Sequence, residues 1–253
     1  MLTAVLFLSF KGRNMQTLII CAAGVGGATV LGAILGYLFR SGARRHSEAI
    51  CSFAAGVMLA AAVSSLIAPA FDDADGFSCF LGIVGMFSGA AFLYLTERLL
   101  PTDNGGKGLR SAILFAIAMA IHNLPEGIAA GIGFGTGDTH GGLLVAIGIA
   151  IHNVPEGMIT VFPMVSSGVK PAKAIILTLA GGVAEVLGTF VGYAAGGVAA
   201  PLLPFVLAFA GGTMLYVISS EMIPECSLAG PRRSAFLLIF GYCAMMVAAF
   251  MTS

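Results

Sequence analysis

The chain carries one polar block twice, as Ile121-His122-Asn123-Leu124-Pro125-Glu126-Gly127 and, thirty residues later, as Ile151-His152-Asn153-Val154-Pro155-Glu156-Gly157. Each block places a histidine, an amide and a carboxylate inside a long apolar run. Ionisable side chains in that setting are costly and tend to mark paths for ions or substrates. A histidine with a glutamate also offers the ligands that zinc-type and iron-type divalent metals accept. The two blocks therefore predict the functional part of the chain.

The composition around the blocks is typical of a membrane protein. Of the 253 residues, 58% are hydrophobic and 9% are charged, whereas a soluble domain has about 25% charged residues. The formal net charge is zero, so neither nucleic acid nor an acidic partner is indicated. The five cysteines are scattered and form no CxxC pair. We expect them to be small buried hydrophobic side chains rather than a disulfide framework or a thiolate metal site.

Eight apolar runs are long enough to cross a bilayer as helices, because about 20 helical residues span a hydrocarbon core of about 30 Å. The predicted spans cover residues 15–39, 49–71, 76–97, 111–134, 142–165, 173–200, 202–222 and 233–252. Residues 1–10 are too short to span, and we interpret them as a leader or an interfacial stretch. Strict two-residue alternation is absent, which disfavours a transmembrane barrel. The expected fold is an all-α integral membrane protein with residues 1–253 in a single polytopic domain.

The basic residues predict the orientation. Ten of the twelve Lys and Arg residues lie in odd-numbered loops, as Lys170 and Arg232 do, whereas even-numbered loops carry aspartates such as Asp138. The positive-inside rule then places the odd-numbered loops in the cytoplasm and both termini outside. Lys11 and Arg13, at the outer end of the first span, are the exception.

The connection between the fourth and fifth spans predicts the depth of the two blocks. Its residues 133–142 have the composition of a turn, and His122 and His152 are each fifteen residues from the central Gly137. If the turn takes about five residues on each side, each histidine lies about 15 Å into its helix at 1.5 Å per residue. The two blocks therefore face each other near the middle of the bilayer.

Within each block the histidine and the glutamate are four residues apart, which places them on one helix face. Pro125 and Pro155 each remove a backbone hydrogen bond and kink the helix, which lets Asn123 and Asn153 turn inward. Two glutamates, two histidines and two asparagines around one point suit Zn²⁺, Fe²⁺ or Mn²⁺. The sequence thus predicts a metal site between the fourth and fifth helices, in which each glutamate can bridge two metals.

Other interpretations of these residues stay open. A single intramembrane histidine or asparagine often only bonds helices together, but two matched blocks at one depth favour an ion or substrate site, with a metal-free proton relay as the main rival. Glu185, alone in the sixth span, needs a metal or a proton as its partner. Met58 and Ser65 are individually typical of helix packing. Glu221 is either an interfacial charge or part of an exit site for a cation.

At these residues the sequence resembles the ZIP family (Zrt-, Irt-like proteins) of divalent-metal transporters, and most of all its GufA-like bacterial branch. The resemblance rests on the two HNxPEG blocks, on Glu185 and on Glu221-Met222-Ile223-Pro224-Glu225, and it covers effectively the whole chain. It implies a binuclear metal centre. One site would use His122, Glu126 and Glu156, with Met58 and His152 as further candidates; the second would use Asn123, Glu126, Asn153, Glu156 and Glu185. The resemblance also implies a path past Ser65 toward Glu221 and an elevator-like or rocking movement.

The sequence departs from the family pattern at three places. Ser220 precedes Glu221 where many members carry histidine, which puts the inner exit site in doubt. Val186 follows Glu185 where many members carry proline, so the shape of the sixth span can differ. The loop from Leu99 to Leu109 has no histidine, so the metal-sensing loop of many eukaryotic members is absent.

The resemblance implies a transporter that moves a divalent transition metal into the cytoplasm, with zinc first and iron, manganese and cadmium as other candidates. The metal is then a bound substrate, and no separate cofactor is expected. The expected surroundings are membrane lipid, in the bacterial inner (plasma) membrane, with a homodimer left open. The alternatives are an intramembrane metalloenzyme and a metal sensor that does not transport. A metalloprotease needs HExxH, and both histidines here are followed by asparagine, so an enzyme is not expected.

Overall fold

The computed structural model describes residues 15–38, 40–72, 75–99, 109–166, 168–226 and 230–252. The predicted leader or interfacial stretch at residues 1–10 lies outside these ranges. Apart from short turns, the residues in these ranges are helical, and none of them forms a β-strand. The all-α prediction is therefore confirmed.

Eight helical segments, α1 to α8, correspond to the eight predicted spans. They are α1 (Met15–Leu38), α2 (Arg40–Ala61, Ala62–Ile67 and Ala68–Phe71), α3 (Gly76–Leu99), α4 (Leu109–Gly135), α5 (Thr139–Ser166), α6 (Pro171–Ala199), α7 (Ala200–Leu202, Leu203–Val217, Ile218–Met222 and Ile223–Cys226) and α8 (Pro231–Thr252). The largest difference from prediction is in α2, which begins at Arg40 rather than at residue 49. Arginine and glutamate favour helix, so the end of an uncharged run marks the edge of the membrane and not the end of the helix.

The segments have the length and surface of membrane spans. Within the described residues, seven helices are both long enough and apolar enough to cross a bilayer. The remaining segment, α4, has 27 residues and carries the first polar block. Large apolar side chains face outward, among them Phe87, Phe236 and Phe250 at 74%, 77% and 82% exposed. Such a surface requires lipid around it, and the chain is an integral membrane protein.

Two of the spans change their helical pitch. Ala62–Ile67 of α2 and Ile218–Met222 of α7 are π-helices. Short π-helical turns inside α-helices are rare and occur frequently at functional sites. The first contains Ser65 and the second contains Glu221, the two residues that the family resemblance places on the transport path.

Glycine contacts join the helices into three sets, α1/α4/α5/α6, α2/α8 and α3/α7. The Cys51–Cys226 disulfide links α2 to α7, which leaves two groups, α1/α4/α5/α6 and α2/α3/α7/α8. Where a methyl group added to a described glycine would strike the backbone of another helix, the two helices belong to the same group. Examples are Gly32 against Val154 (α1–α5), Gly131 against Thr189 (α4–α6), Gly89 against Phe209 (α3–α7) and Gly56 against Leu238 (α2–α8). Small residues let membrane helices approach this closely. Between the groups, Gly148 of α5 instead meets the side chain of Ser65 of α2.

The turn between α4 and α5 is shorter than predicted. It consists of residues 136–138, and Gly137 has a φ of 93°, a left-handed conformation that glycine adopts without steric cost. The side chain of Asp138 accepts a hydrogen bond from the Gly141 amide at 2.9 Å, which caps the start of α5. Because the turn takes three residues instead of ten, both helices are longer and each histidine lies deeper than 15 Å from the turn.

The cysteine prediction is wrong for Cys51 and Cys226, which are bonded to each other, and for Cys243, which is exposed rather than buried. Cys51 of α2 and Cys226 at the end of α7 form a disulfide whose Cα atoms are 5.6 Å apart, across 175 residues of sequence. Cys21, Cys79 and Cys243 are free. Spacing could not reveal the pair, because it depends on α2 and α7 meeting at that level of the helix bundle.

Candidate metal centre

The two histidines lie at matched positions in the middle of α4 and α5. His122 is the fourteenth residue of 27 in α4, and His152 is the fourteenth of 28 in α5. The thirteen residues from His122 to the end of α4 correspond to about 20 Å of helix. Both side chains are fully buried. The two histidines thus lie at matched depth, as predicted. Each lies about 5 Å farther from the turn than the predicted ten-residue turn implied.

Three ligand atoms from the two helices converge. Nε2 of His122 lies 3.8 Å from Oε1 of Glu126 and 3.8 Å from Oε2 of Glu156, and the three residues offer ligand atoms that all lie within 4.8 Å of one another. These distances are too long for hydrogen bonds. Ligands of a tetrahedral zinc ion at bond lengths of about 2.0–2.1 Å are about 3.4 Å apart. The two distances from His122 are therefore about 0.4 Å longer than those between the ligands of a bound zinc ion.

The same atoms lack hydrogen-bond partners. Both ring nitrogens of His122, Oε1 of Glu126 and Oε2 of Glu156 are buried and unpaired among the described residues. Buried polar atoms in folded proteins are nearly always paired, and leaving one unpaired costs about 1–3 kcal/mol. The exceptions here point at one another across a single gap, so a cation between them would satisfy the three ligand atoms together.

His152 is oriented from both of its ring nitrogens. Its Nδ1 is 3.1 Å from the carbonyl oxygen of Gly148, and its Nε2 is 3.2 Å from Oε2 of Glu126. Because a carbonyl only accepts, Nδ1 carries the proton of that bond. A hydrogen bond between Nε2 and Glu126 then needs one more proton on either group. This geometry places His152 beside the cluster as an orienting partner of Glu126, a common arrangement around metal ligands.

Glu185 of α6 lies in a second polar cluster with α1 and α5. Its Oε2 accepts a hydrogen bond from the Thr29 hydroxyl at 2.9 Å, and its Oε1 accepts one from the side-chain amide of Asn153. The same amide donates to the carbonyl oxygen of Val25 at 3.1 Å. Thr29 was missed by sequence reasoning. A threonine among small residues of α1 gives no sign of its partner, which lies 156 positions away.

Asn123 packs against α6 and also lies near Glu156 of α5. A methyl group at Gly181 of α6 would lie 3.0 Å from the Asn123 side-chain nitrogen, so glycine makes room for the amide. Both polar atoms of the Asn123 side chain and the side-chain oxygen of Asn153 are buried without a described hydrogen-bond partner. The two amide oxygens among them, Oδ1 of Asn123 and Oδ1 of Asn153, are ligands of the type predicted for a second site.

The three remaining candidates lie on the other helix group. Met58 is fully buried in the apolar core on α2. Ser65 is also on α2, with its side chain against Gly148, whose carbonyl orients His152. Glu221 is half-buried on α7. The structure therefore brings His122, Glu126 and Glu156 together on α4 and α5. It places Met58, Ser65 and Glu221 on helices of the facing group.

Ser220 occupies the position where many family members carry histidine. Its hydroxyl donates a hydrogen bond to the carbonyl oxygen of Tyr216 at 2.7 Å, within its own helix. The neighbouring Ser219 likewise donates to Leu215, at 2.7 Å. Both serines are thus engaged with helix backbone just before Glu221.

Comparison with known proteins gives a consistent result. A family model described as ZIP Zinc transporter matches residues 102–249, which include both polar blocks, Glu185 and Glu221. The zinc transporter GufA of Myxococcus xanthus is 37% identical over 198 residues, covering 72% of this chain and 78% of that protein. The zinc transporter ZIPB of Bordetella bronchiseptica is 33% identical, with 87% and 76% covered. The zinc transporter ZIP11 of Xenopus tropicalis is 29% identical, with 87% and 92% covered.

Proposed function

This chain belongs to the ZIP family of zinc transporters, and on that premise we propose that it carries divalent transition-metal ions across the membrane through the buried centre between α4 and α5. The observation that carries the proposal is the convergence of unpaired ligand atoms of His122, Glu126 and Glu156 at mid-span. The metalloenzyme and sensor alternatives gain no support, because the similar proteins are named as transporters and neither block has HExxH.

The ligand set suits zinc as the first substrate. One imidazole nitrogen and two carboxylate oxygens match the borderline ligands that zinc prefers, and they leave a fourth position for water or another side chain. Two buried carboxylates also supply the negative charge that a divalent cation needs where water is absent. The ion is the transported substrate, so binding must be strong enough to replace its water and weak enough to allow release.

The two helix groups suggest how access alternates. The His–Glu cluster lies entirely on α4 and α5, within the first group, whereas Met58, Ser65 and Glu221 lie on the second. Close backbone packing holds the first group together. In the second group it joins α2 to α8 and α3 to α7, and the Cys51–Cys226 disulfide links the two pairs. The contact of Gly148 with Ser65 between the groups is made by a side chain. We infer that the first group moves against the second as a unit, carrying the ion from one face of the membrane toward the other.

Metal flux into sealed proteoliposomes tests the function. Zinc uptake by the wild-type protein is expected to exceed that of protein-free vesicles, and a panel with Fe²⁺, Mn²⁺ and Cd²⁺ defines the range. Glu126→Gln should abolish uptake, since it removes a charge from the cluster. Asp138→Asn is the matched control, because it makes the same chemical change at an exposed turn. Absence of flux with correctly inserted wild-type protein refutes the proposal.

We further propose a second, auxiliary metal site around Glu185, using Asn123, Asn153, Glu126 and Glu156. The unpaired side-chain oxygens of the two asparagines support it. Against it, the hydrogen bonds from Thr29 and Asn153 already engage both carboxylate oxygens of Glu185. Elemental analysis of purified protein decides between these readings. Glu185→Gln should lower the bound metal from two ions to one and reduce uptake, whereas one ion in the wild type rules the second site out.

The orientation remains a proposal that rests on the distribution of basic residues. It places the odd-numbered loops in the cytoplasm and both termini outside, with import across a bacterial inner membrane. Single cysteines at positions 170 and 138 of a cysteine-depleted protein test it with an impermeant thiol reagent. Position 138 should label from outside and position 170 should not. The reverse pattern inverts the topology. Whether the protein is a homodimer stays a prediction.

A further inference from the structure

An apolar crevice of about 530 Å³ opens on the flank of the helix bundle. Its walls are apolar side chains, among them Phe92 of α3, Phe209 of α7, Leu124 of α4, and Leu177 and Ala180 of α6. Two of the walls, α3 and α7, belong to one helix group, and the other two belong to the other. The crevice is therefore a gap between the two groups.

The depth of the crevice places it in the hydrocarbon core. Leu177 and Ala184 lie six and thirteen residues past the start of α6, or about 9 to 20 Å along the helix. Ile121 lies twelve residues past the start of α4, or about 18 Å along it. The rim continues into lipid-facing surface, since Leu124 is 41% and Phe92 39% exposed. At this depth an apolar gap of this kind is accessible to lipid tails.

We propose that one acyl chain of a membrane phospholipid occupies this crevice. An acyl chain matches the chemistry of the walls, which offer no charged or hydrogen-bonding side chain to another kind of ligand. The volume is within the range of about 300–1,000 Å³ that is typical of small-ligand sites. A concave gap suits an inserted chain better than the broad, protruding contact that a second copy of the protein would make.

The crevice lies directly behind the polar clusters. Three of its lining residues, Ile121, Pro125 and Ala184, immediately precede His122, Glu126 and Glu185 in the sequence. Successive helical residues point in directions about 100° apart. The same helical turns therefore direct polar side chains toward the clusters and apolar side chains toward the crevice. If the groups move as proposed above, the acyl chain lies at the interface along which they move.

Photochemical labelling tests the site without depending on transport. The purified protein is reconstituted with a phospholipid that carries a photoreactive group in its acyl chain, irradiated and digested. Labelled positions should concentrate on residues 120–125 and 177–184. Ala180→Phe fills the crevice and should remove this labelling, whereas Ala23→Phe, at an exposed alanine of α1, should leave it unchanged.

Three results would overturn the proposal. Labelling spread evenly over the lipid-facing helices means that no site exists. Labelling by a photoreactive free fatty acid but not by the phospholipid means that the occupant is a different lipid. Crosslinks from a photoreactive residue at position 124 to another copy of the chain mean that the crevice is an interface. Ala180→Leu repeats the test if the phenylalanine variant fails to insert. Absence of zinc uptake by the wild-type protein, with crevice labelling present, refutes the proposed function and leaves the lipid site supported.

Discussion

Replacing Gly127 with alanine should separate α4 from α6 and damage the metal centre. A methyl group at Gly127 would lie 2.8 Å from Cα of Glu185 and closer still to its carbonyl oxygen, whereas ordinary contacts begin at 3.4 Å, so the helices must part by at least about 0.6 Å. Functional sites tolerate displacements of about 0.5 Å. Overpacking costs about 1–3 kcal/mol, against about 1 kcal/mol regained from the helix propensity of alanine.

The expected result is folded protein with impaired zinc binding and uptake. Glu126 and Glu185 flank the disturbed contact, and loss of a partner that orients metal ligands typically costs about 10- to 100-fold in affinity. Binding is measured by isothermal titration calorimetry and uptake in proteoliposomes. Gly157→Ala should behave similarly, because its methyl group would lie 2.8 Å from the backbone nitrogen of Ala33 in α1. Gly27→Ala is the control, because a methyl group there meets nothing within 4 Å. Normal binding and uptake by Gly127→Ala would refute the reasoning.

Three further outcomes are expected. Glu156→Gln should abolish zinc uptake at normal protein level, because one buried carboxylate cannot offset a divalent charge; wild-type uptake would contradict a shared centre. His122→Ala should impair uptake far more than His140→Ala, since His140 is exposed in the first turn of α5; equal losses would place the metal near the turn between α4 and α5. Cys51 and Cys226 should resist alkylation in oxidised, denatured protein and react after reduction, as mass spectrometry reports; free reaction beforehand would exclude the bond.

Much of the architecture could be predicted from composition and spacing. Eight apolar runs located eight helices, since only a regular helix both satisfies its backbone and crosses the hydrocarbon core. The equal distances of His122 and His152 from Gly137 predicted their matched depth, because a tight turn pairs residues by their count from it. The four-residue spacing of His122 and Glu126 likewise fixed a shared face. These features depend on local geometry, which a linear sequence encodes directly.

The tertiary structure decided what lies between helices that are distant in sequence. Thr29 meets Glu185, Cys51 meets Cys226, and Asn123 turns toward α6 because the bundle brings those helices together. In hydrocarbon the pattern of apolar residues does not identify the inward face, since lipid is as apolar as a neighbouring helix. Partner choice depends instead on close fit at small residues, and that fit can be evaluated only once both helices are in place.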